Sequence, residues 1–254
     1  GSEMCIRDRV DVLLAPGLNT KRSSLCGRSF EYYSEDPYLS GKLAAGFIRG
    51  AQKQGVSACA KHYAANAQEL LRMHSDSVMD ERTLREMYLT NFEIAIKEGK
   101  PGFVMTAYNR VNGVYANESR HLLGDILRGE WGFDGAVVTD WGGSNSIVEG
   151  VREGMNLEMP AAGDDSPCQL VKAVKDGTID EKIIDERVDQ LLDFVLAEHK
   201  SGETSFDAAK QHQAAEAAAE KCLVLLKNDK HLLPLKKDAR VAVIGEFAAR
   251  SRYQ

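Results

Sequence analysis

Short apolar runs alternate with amphipathic helical patterns over most of this chain, and that alternation leaves few folds open. Residues 10–15 (Val-Asp-Val-Leu-Leu-Ala) form an apolar run closed by the turn pair Pro16-Gly17. After a polar loop, Ser34-Glu35-Asp36-Pro37 supplies a helix start with proline at its first position. Leu39, Leu43, Phe47 and Ile48 predict one apolar face, and Gly55 ends the helix. A strand follows at 57–60. Asp80 then caps a helix whose Leu84, Tyr88, Phe92 and Ile96 recur every four residues up to Gly99 and Pro101. The next strand spans 103–108, Ser119 opens a helix on Leu122, Leu123, Ile126 and Leu127, and another strand lies at 136–138. A further helix, the segment 155–159 and helices at 167–175 and 180–199 complete the pattern. Strands separated by helices of this length require right-handed crossovers into a parallel sheet, open or closed. Polar residues gather just past the strand ends, which favours a barrel. Only about five or six strands can be counted, so the expectation is an α/β fold, a partial (β/α)8 TIM-type barrel lacking its first strands.

The run Gly135-Ala-Val-Val-Thr-Asp-Trp-Gly142 is the most informative strand, because an apolar segment buried on both faces ends abruptly in the carboxylate of Asp140. Strand ends on the C-terminal face of a parallel barrel hold reactive groups. The alternative is that Asp140 caps a helix beginning near Ser144. Lys61-His62 follow one neighbouring strand and Tyr108-Asn109 end another, so three strands would deliver Lys61, His62, Tyr108, Asp140 and Trp141 to one rim. Cations can hydrogen-bond vicinal hydroxyls, tryptophan offers a flat apolar face to a sugar ring, and a carboxylate can attack an anomeric carbon. That is the composition of a glycoside site. A TIM-type aldolase is a distant alternative, since Lys61 at a strand end could form a Schiff base.

Composition excludes other classes. The 254 residues are 43% hydrophobic and 28% charged with a formal net charge of -6, and no run of Lys and Arg makes a basic patch, so nucleic acid is not an expected partner. No apolar stretch is long enough to span a membrane. Cys5, Cys26, Cys59, Cys168 and Cys222 are scattered without a Cys-x-x-Cys pair or histidines at ligand spacing, and read as free thiols or core residues. No metal and no cofactor is expected. Gly1-Ser2 resembles a cloning scar, and residues 3–9 resemble translated adapter sequence. Native sequence is therefore expected from Val10, with compartment left open. Residues 10–200 are assigned to the barrel. The polar, breaker-rich 201–215 is read as a linker and helix start, and 216–254 as the beginning of an α/β sandwich domain. Its strands are expected at 223–226, 232–235 and 241–245.

Several motifs together resemble glycoside hydrolase family 3, the group that holds β-glucosidases and β-xylosidases. They are Gly27-Arg28-Ser29-Phe30-Glu31 with Ser34-Glu35-Asp36-Pro37-Tyr38, Lys61-His62-Tyr63-Ala64-Ala65-Asn66 with Glu69 and Arg72, Met105-Thr106-Ala107-Tyr108-Asn109, Val138-Thr139-Asp140-Trp141 and Leu157-Glu158-Met159-Pro160. The resemblance implies that Asp140 is the nucleophile of a retaining, exo-acting β-glycosidase. Arg28, Lys61, His62 and Arg72 would contact sugar hydroxyls, Tyr108 would stand beside the nucleophile and Trp141 would pack on the sugar. Arg28 could instead serve Glu31 or Glu35, and Arg72 could pair with Glu69. The loop Lys61-His-Tyr-Ala-Ala-Asn-Ala67 lacks the Pro-Gly and second histidine of the N-acetylhexosaminidase branch. In the β-glucosidase branch the general acid comes from the second domain, and no such Glu is found here. The implied substrate is a terminal β-glucoside, with a β-xyloside as alternative. A second expectation is a catalytically silent fragment that binds sugar, or needs assembly, and self-associates through exposed barrel edges.

Overall fold

The structure, a computed structural model, describes residues 10–197 and 207–250. Two compact units divide the chain, 1–205 and 206–254, and each is taken by itself.

In the first unit a four-stranded, all-parallel sheet runs in the order β1 (Val12–Leu13), β2 (Ser57–Tyr63), β4 (Phe103–Thr106), β7 (Ala136–Val138). A bridge from Val138 to Leu157 adds a fifth extended segment beyond β7. Helices α1 (Pro37–Gln52), α2 (81–99) and α3 (His121–Glu130) connect the strands, the latter two containing wide π-type turns. The crossovers are long because parallel neighbours cannot be joined by a hairpin. A small sheet of β3 (Asp76–Ser77), β5 (Arg110–Val111) and β6 (Val114–Tyr115) covers the loops after β2 and β4. Helices α4 (Ile147–Glu153), α5 (Asp165–Lys175) and α6 (Glu181–Ala197) follow.

Strand alternation sorts the core into two layers. Ala58, Ala60, Val104 and Val137 face helices carrying Ile48, Phe92, Leu123 and Ile126. Cys59, Phe103, Met105, Ala136 and Val138 form the opposite face, against Leu157, Leu191 and Phe194. The Phe194 ring meets Phe103 edge-on at 4.5 Å between centroids, so α6 closes part of that face. Being buried on both faces is why these strands are apolar without alternation.

Three details differ from the sequence expectation. The apolar stripe of α1 is turned outward: Leu39, Leu43 and Phe47 are exposed, while Ser40, Gly41, Ala44, Ala45, Ile48 and Ala51 are buried. Close approach explains this, because around Gly41 α1 packs on α2 too tightly for a large side chain, a Cβ there lying 2.8 Å from Ile94 Cβ, while Ile48, the one member of the expected face that is buried, fits against Gly99. Second, β2 runs through Tyr63, so Lys61 and His62 belong to the strand's last turn. Third, α4 is capped by Ser146, whose Oγ accepts from the Glu149 N–H, and this removes the helix-cap role considered for Asp140.

The second unit contains α7 (Ala208–Cys222), capped by Asp207, and the short α8 (Glu246–Ala249). The segments 223–226, 232–235 and 241–245, expected as strands, pair with nothing among the described residues. A strand needs a neighbour for its backbone, and these segments have none among the described residues. The expected assignment of 1–9, and of 201–206 within the linker, lies outside the described residues.

Candidate active site

The C-terminal ends of β1, β2, β4 and β7 converge, and the site grows from what each strand carries past its last ladder bond. After β1 the chain turns at Gly17, which bridges to Lys61, and Asn19 then clasps the next strand. Its Nδ2 donates to the His62 carbonyl (2.8 Å) and its Oδ1 accepts from the His62 N–H (2.7 Å). β2 bulges between Ala60 and Tyr63, and the Lys61–His62 and Tyr63–Ala64 peptides are cis. Beyond β7, Thr139 is locked to the neighbouring segment: its N–H donates to the Leu157 carbonyl and its Oγ1 accepts from the Met159 N–H. The Gly142 N–H donates to the Met159 carbonyl. Asp140 therefore sits in a turn held on both sides.

Asp140 is buried, and its two oxygens differ. Oδ1 accepts from the Trp141 N–H at 2.8 Å. Oδ2 has no hydrogen-bond partner among the described residues. It faces Arg28 Nη1 at 3.8 Å and His62 Nε2 at 3.4 Å. Arg28 also binds Glu31 through Nε, and Lys61 Nζ lies 3.3 Å from the other Glu31 oxygen. Burial pushes the Glu31 pKa up, but the hydrogen bond from Arg28 and the charge of Lys61 outweigh it and hold Glu31 below the usual carboxylate range. Burial first, and the cations Arg28, Lys61 and Arg72 second, push His62 well below its ordinary value. His62 is therefore neutral, and its approach to Asp140 is that of a neutral imidazole to a carboxylate rather than an ion pair.

Arg72 pairs with Glu69 (2.8 Å) and lays its guanidinium over the Tyr108 ring, 4.5 Å from the centroid. The Tyr108 hydroxyl donates to the Trp141 carbonyl (2.8 Å), and burial with the nearby Asp140 charge pushes its pKa up to about 12. Trp141 is 43% exposed at the rim.

Strand-end reasoning placed Lys61, His62, Tyr108, Asp140 and Trp141 at one rim and the family resemblance added Arg28 and Arg72; the structure brings Arg28 against Asp140 beside them, and Arg72 joins through Tyr108. The alternative pairings Arg28–Glu31 and Arg72–Glu69 are also present, because each arginine has donors to spare. Asn19 and Tyr32 were missed. Asn19 lies directly past β1, so the strand-end rule that found the others also points to it. Tyr32 carries no such signal, since it sits in a polar loop.

The family assignment rests on sequence as well as geometry. Residues 1–194 match the profile described as the glycosyl hydrolase family 3 N terminal domain. The chain belongs to glycoside hydrolase family 3. Its sequence is 48% identical over 254 residues to the thermostable beta-glucosidase B of Acetivibrio thermocellus, covering 99% of this chain and 34% of that protein. It is 42% identical over 265 residues to an exo-alpha-(1->6)-L-arabinopyranosidase of Bifidobacterium longum, covering 100% of this chain and 35% of that protein. Among solved structures, the GH3 beta-glucosidase of Bifidobacterium adolescentis superposes with a TM-score of 0.93 at 42% identity, over 100% of this chain and 38% of that one. The beta-glucosidase 3B of Thermotoga neapolitana, determined in complex with alpha-D-glucose, gives 0.85 at 41% identity, over 92% and 34%. The chain thus spans about a third of the length of these relatives. The TIM-barrel-like α/β fold is shared with them.

Proposed function

We propose that this chain carries the nucleophile half of a retaining, exo-acting β-glucosidase site. The observation that carries the reading is the asymmetry of Asp140: one oxygen is anchored and the other is unclaimed between Arg28 and His62. An anchored carboxylate with one free oxygen is preorganised to attack an anomeric carbon. In that step the Oδ2–C1 bond forms as the C1–O bond to the leaving group breaks, and water later hydrolyses the glycosyl-Asp140 ester. Arg28, Lys61, His62 and Arg72 then hold sugar hydroxyls, and Trp141 offers an apolar face. The beta-glucosidase relatives, and the glucose bound to one of them, support glucose over xylose.

The first step also needs a proton for the leaving oxygen. The carboxylates joined to this cluster, Glu31 and Glu69, are ion-paired, and Glu31 is held ionised. Neither is suited to donate. General acid assistance typically contributes about 10² to 10⁴ in rate, and a leaving group that is already a stable anion needs little of it. A 2-deoxy-2-fluoro glucoside with a dinitrophenolate leaving group should therefore label the chain at the peptide containing Asp140, with no detectable turnover of unactivated disaccharides. Asp140→Asn should abolish the label. A label elsewhere, or one that persists in the Asn variant, would refute the assignment.

A further inference from the structure

We propose that Tyr32 is a positioning residue that holds the His62 ring by donating to Nδ1, so that Nε2, protonated because it faces Asp140, is presented to that carboxylate and to the sugar. The Tyr32 hydroxyl lies 3.1 Å from His62 Nδ1, and it is the ring nitrogen's only side-chain partner among the described residues. The opposite nitrogen, Nε2, lies 3.4 Å from Asp140 Oδ2. A neutral imidazole has one donor and one acceptor nitrogen, and the partner of one nitrogen sets the role of the other. Were the proton on Nδ1, the Nε2 lone pair would face a buried carboxylate oxygen that already lacks a hydrogen bond. With the proton on Nε2, Nδ1 accepts from the Tyr32 O–H and the carboxylate faces a positive N–H edge. Both contacts are then favourable.

The surroundings of Tyr32 are built for this contact. Its side chain is buried, and burial holds the phenol far above its ordinary pKa, so it remains a donor. The ring meets the imidazole edge-on, with centroids 6.2 Å apart. It fits because Gly17 has no side chain: a Cβ there would lie 3.0 Å from Tyr32 Cε1 and 3.3 Å from Glu31 Oε2. Asn19 clamps the His62 backbone from both sides, so the imidazole cannot compensate by moving the strand. Gly17, Asn19 and Tyr32 thus form a second layer behind the rim.

The tautomer is observable without any activity, whereas the catalytic consequence rests on the glycosidase reading above; the experiment has an arm for each. In protein labelled with 15N-histidine, long-range proton–nitrogen correlation should show His62 at neutral pH with a pyridine-like Nδ1 and a protonated Nε2, the signals being assigned by their loss in His62→Gln. A protonated Nδ1, or an imidazolium, in the unmodified chain would overturn the proposal outright and needs no folded variant. In Tyr32→Phe, which keeps the buried ring, the His62 Nδ1 signal should lose its hydrogen-bond shift and move to that of a free pyridine-like nitrogen. Labelling by the fluoroglucoside should slow by roughly 10-fold, the lower end of what the outer partner of a metal-bound histidine is worth. Unchanged nitrogen shifts in a folded Tyr32→Phe protein would also sink the idea. A shifted Nδ1 signal in Tyr32→Phe without labelling of either protein would uphold the role of Tyr32 and count against the glycosidase reading for this chain.

Discussion

At the residue scale, His62 makes the site's chemistry measurable as stability. The unfolded chain binds a proton at His62 near the ordinary value of 6.5, whereas the folded chain does so only well below it. Between those values the unfolded state holds more protons, so stability falls as pH falls, with a slope of ~1.4 kcal/mol per pH unit. Glu31 adds to the loss only in stronger acid. Its depressed folded pKa gives stability that is present above its ordinary 4.5 and is lost as pH falls through the folded value. Urea unfolding from about pH 7 to about pH 5 should therefore show stability declining in the unmodified chain and a shallower profile in His62→Gln. Equal slopes would mean that His62 is not buried as a neutral group. Lys61, His62, Tyr108, Asp140 and Trp141 were legible in sequence because each stands at the end of an apolar run, whereas Arg28 and Arg72 lie in polar loops and were reached only through the family resemblance. The donor and acceptor roles behind them were not legible, since the partnership of Tyr32 with His62 joins a polar loop to a strand and depends on the missing side chain at Gly17.

At the scale of elements, α1 shows what periodicity can and cannot tell. Its helical period was correct, and so were its start with Pro37 at the first position and its stop before Gly55. The direction of its faces was not, because hydrophobicity marks Leu39, Leu43 and Phe47 while packing selects the small residues on the opposite side. Two glycines of this helix separate the causes. Gly41 is buried against Asn91 and Ile94, but a Cβ on Gly46 would meet nothing within 4 Å. Gly46→Ala should gain ~0.5–1 kcal/mol from helix propensity alone. Gly41→Ala gains the same propensity but forces α1 from α2, at a cost of ~1–3 kcal/mol, and should be destabilising overall. Thermal unfolding of the two variants checks this directly. A stabilised Gly41→Ala protein would show that the α1–α2 contact is looser than described. α3 makes the complementary case, since Leu122, Leu123, Ile126 and Leu127 were read as its buried face and are all buried.

At the scale of the whole molecule, the first unit was legible because its strands carry their own local signal and their crossovers fix the parallel order. The segments at 223–226, 232–235 and 241–245 have equally strand-like composition, yet a strand is a relation between two segments and composition supplies only one of them. What they leave instead is apolar surface. Leu226 and Ile244 are each 91% exposed, and Leu223, Val224 and Val243 are nearly as open. In the first unit, the outer edge of β1 has no neighbour among the described residues. Unpaired edges and contiguous exposed apolar segments favour association with other chains. The polypeptide is therefore expected to self-associate with rising concentration, as read by light scattering on a sizing column. Replacing Leu226 and Ile244 together with Asp should reduce that association without lowering the unfolding temperature of the first unit, because aspartate interrupts an apolar segment that pairs with nothing internal. Should the unmodified chain run as a monodisperse monomer at every concentration, these segments must be covered in solution. Should the double variant associate as strongly, the contact lies elsewhere, and the edge of β1 becomes the segment to block.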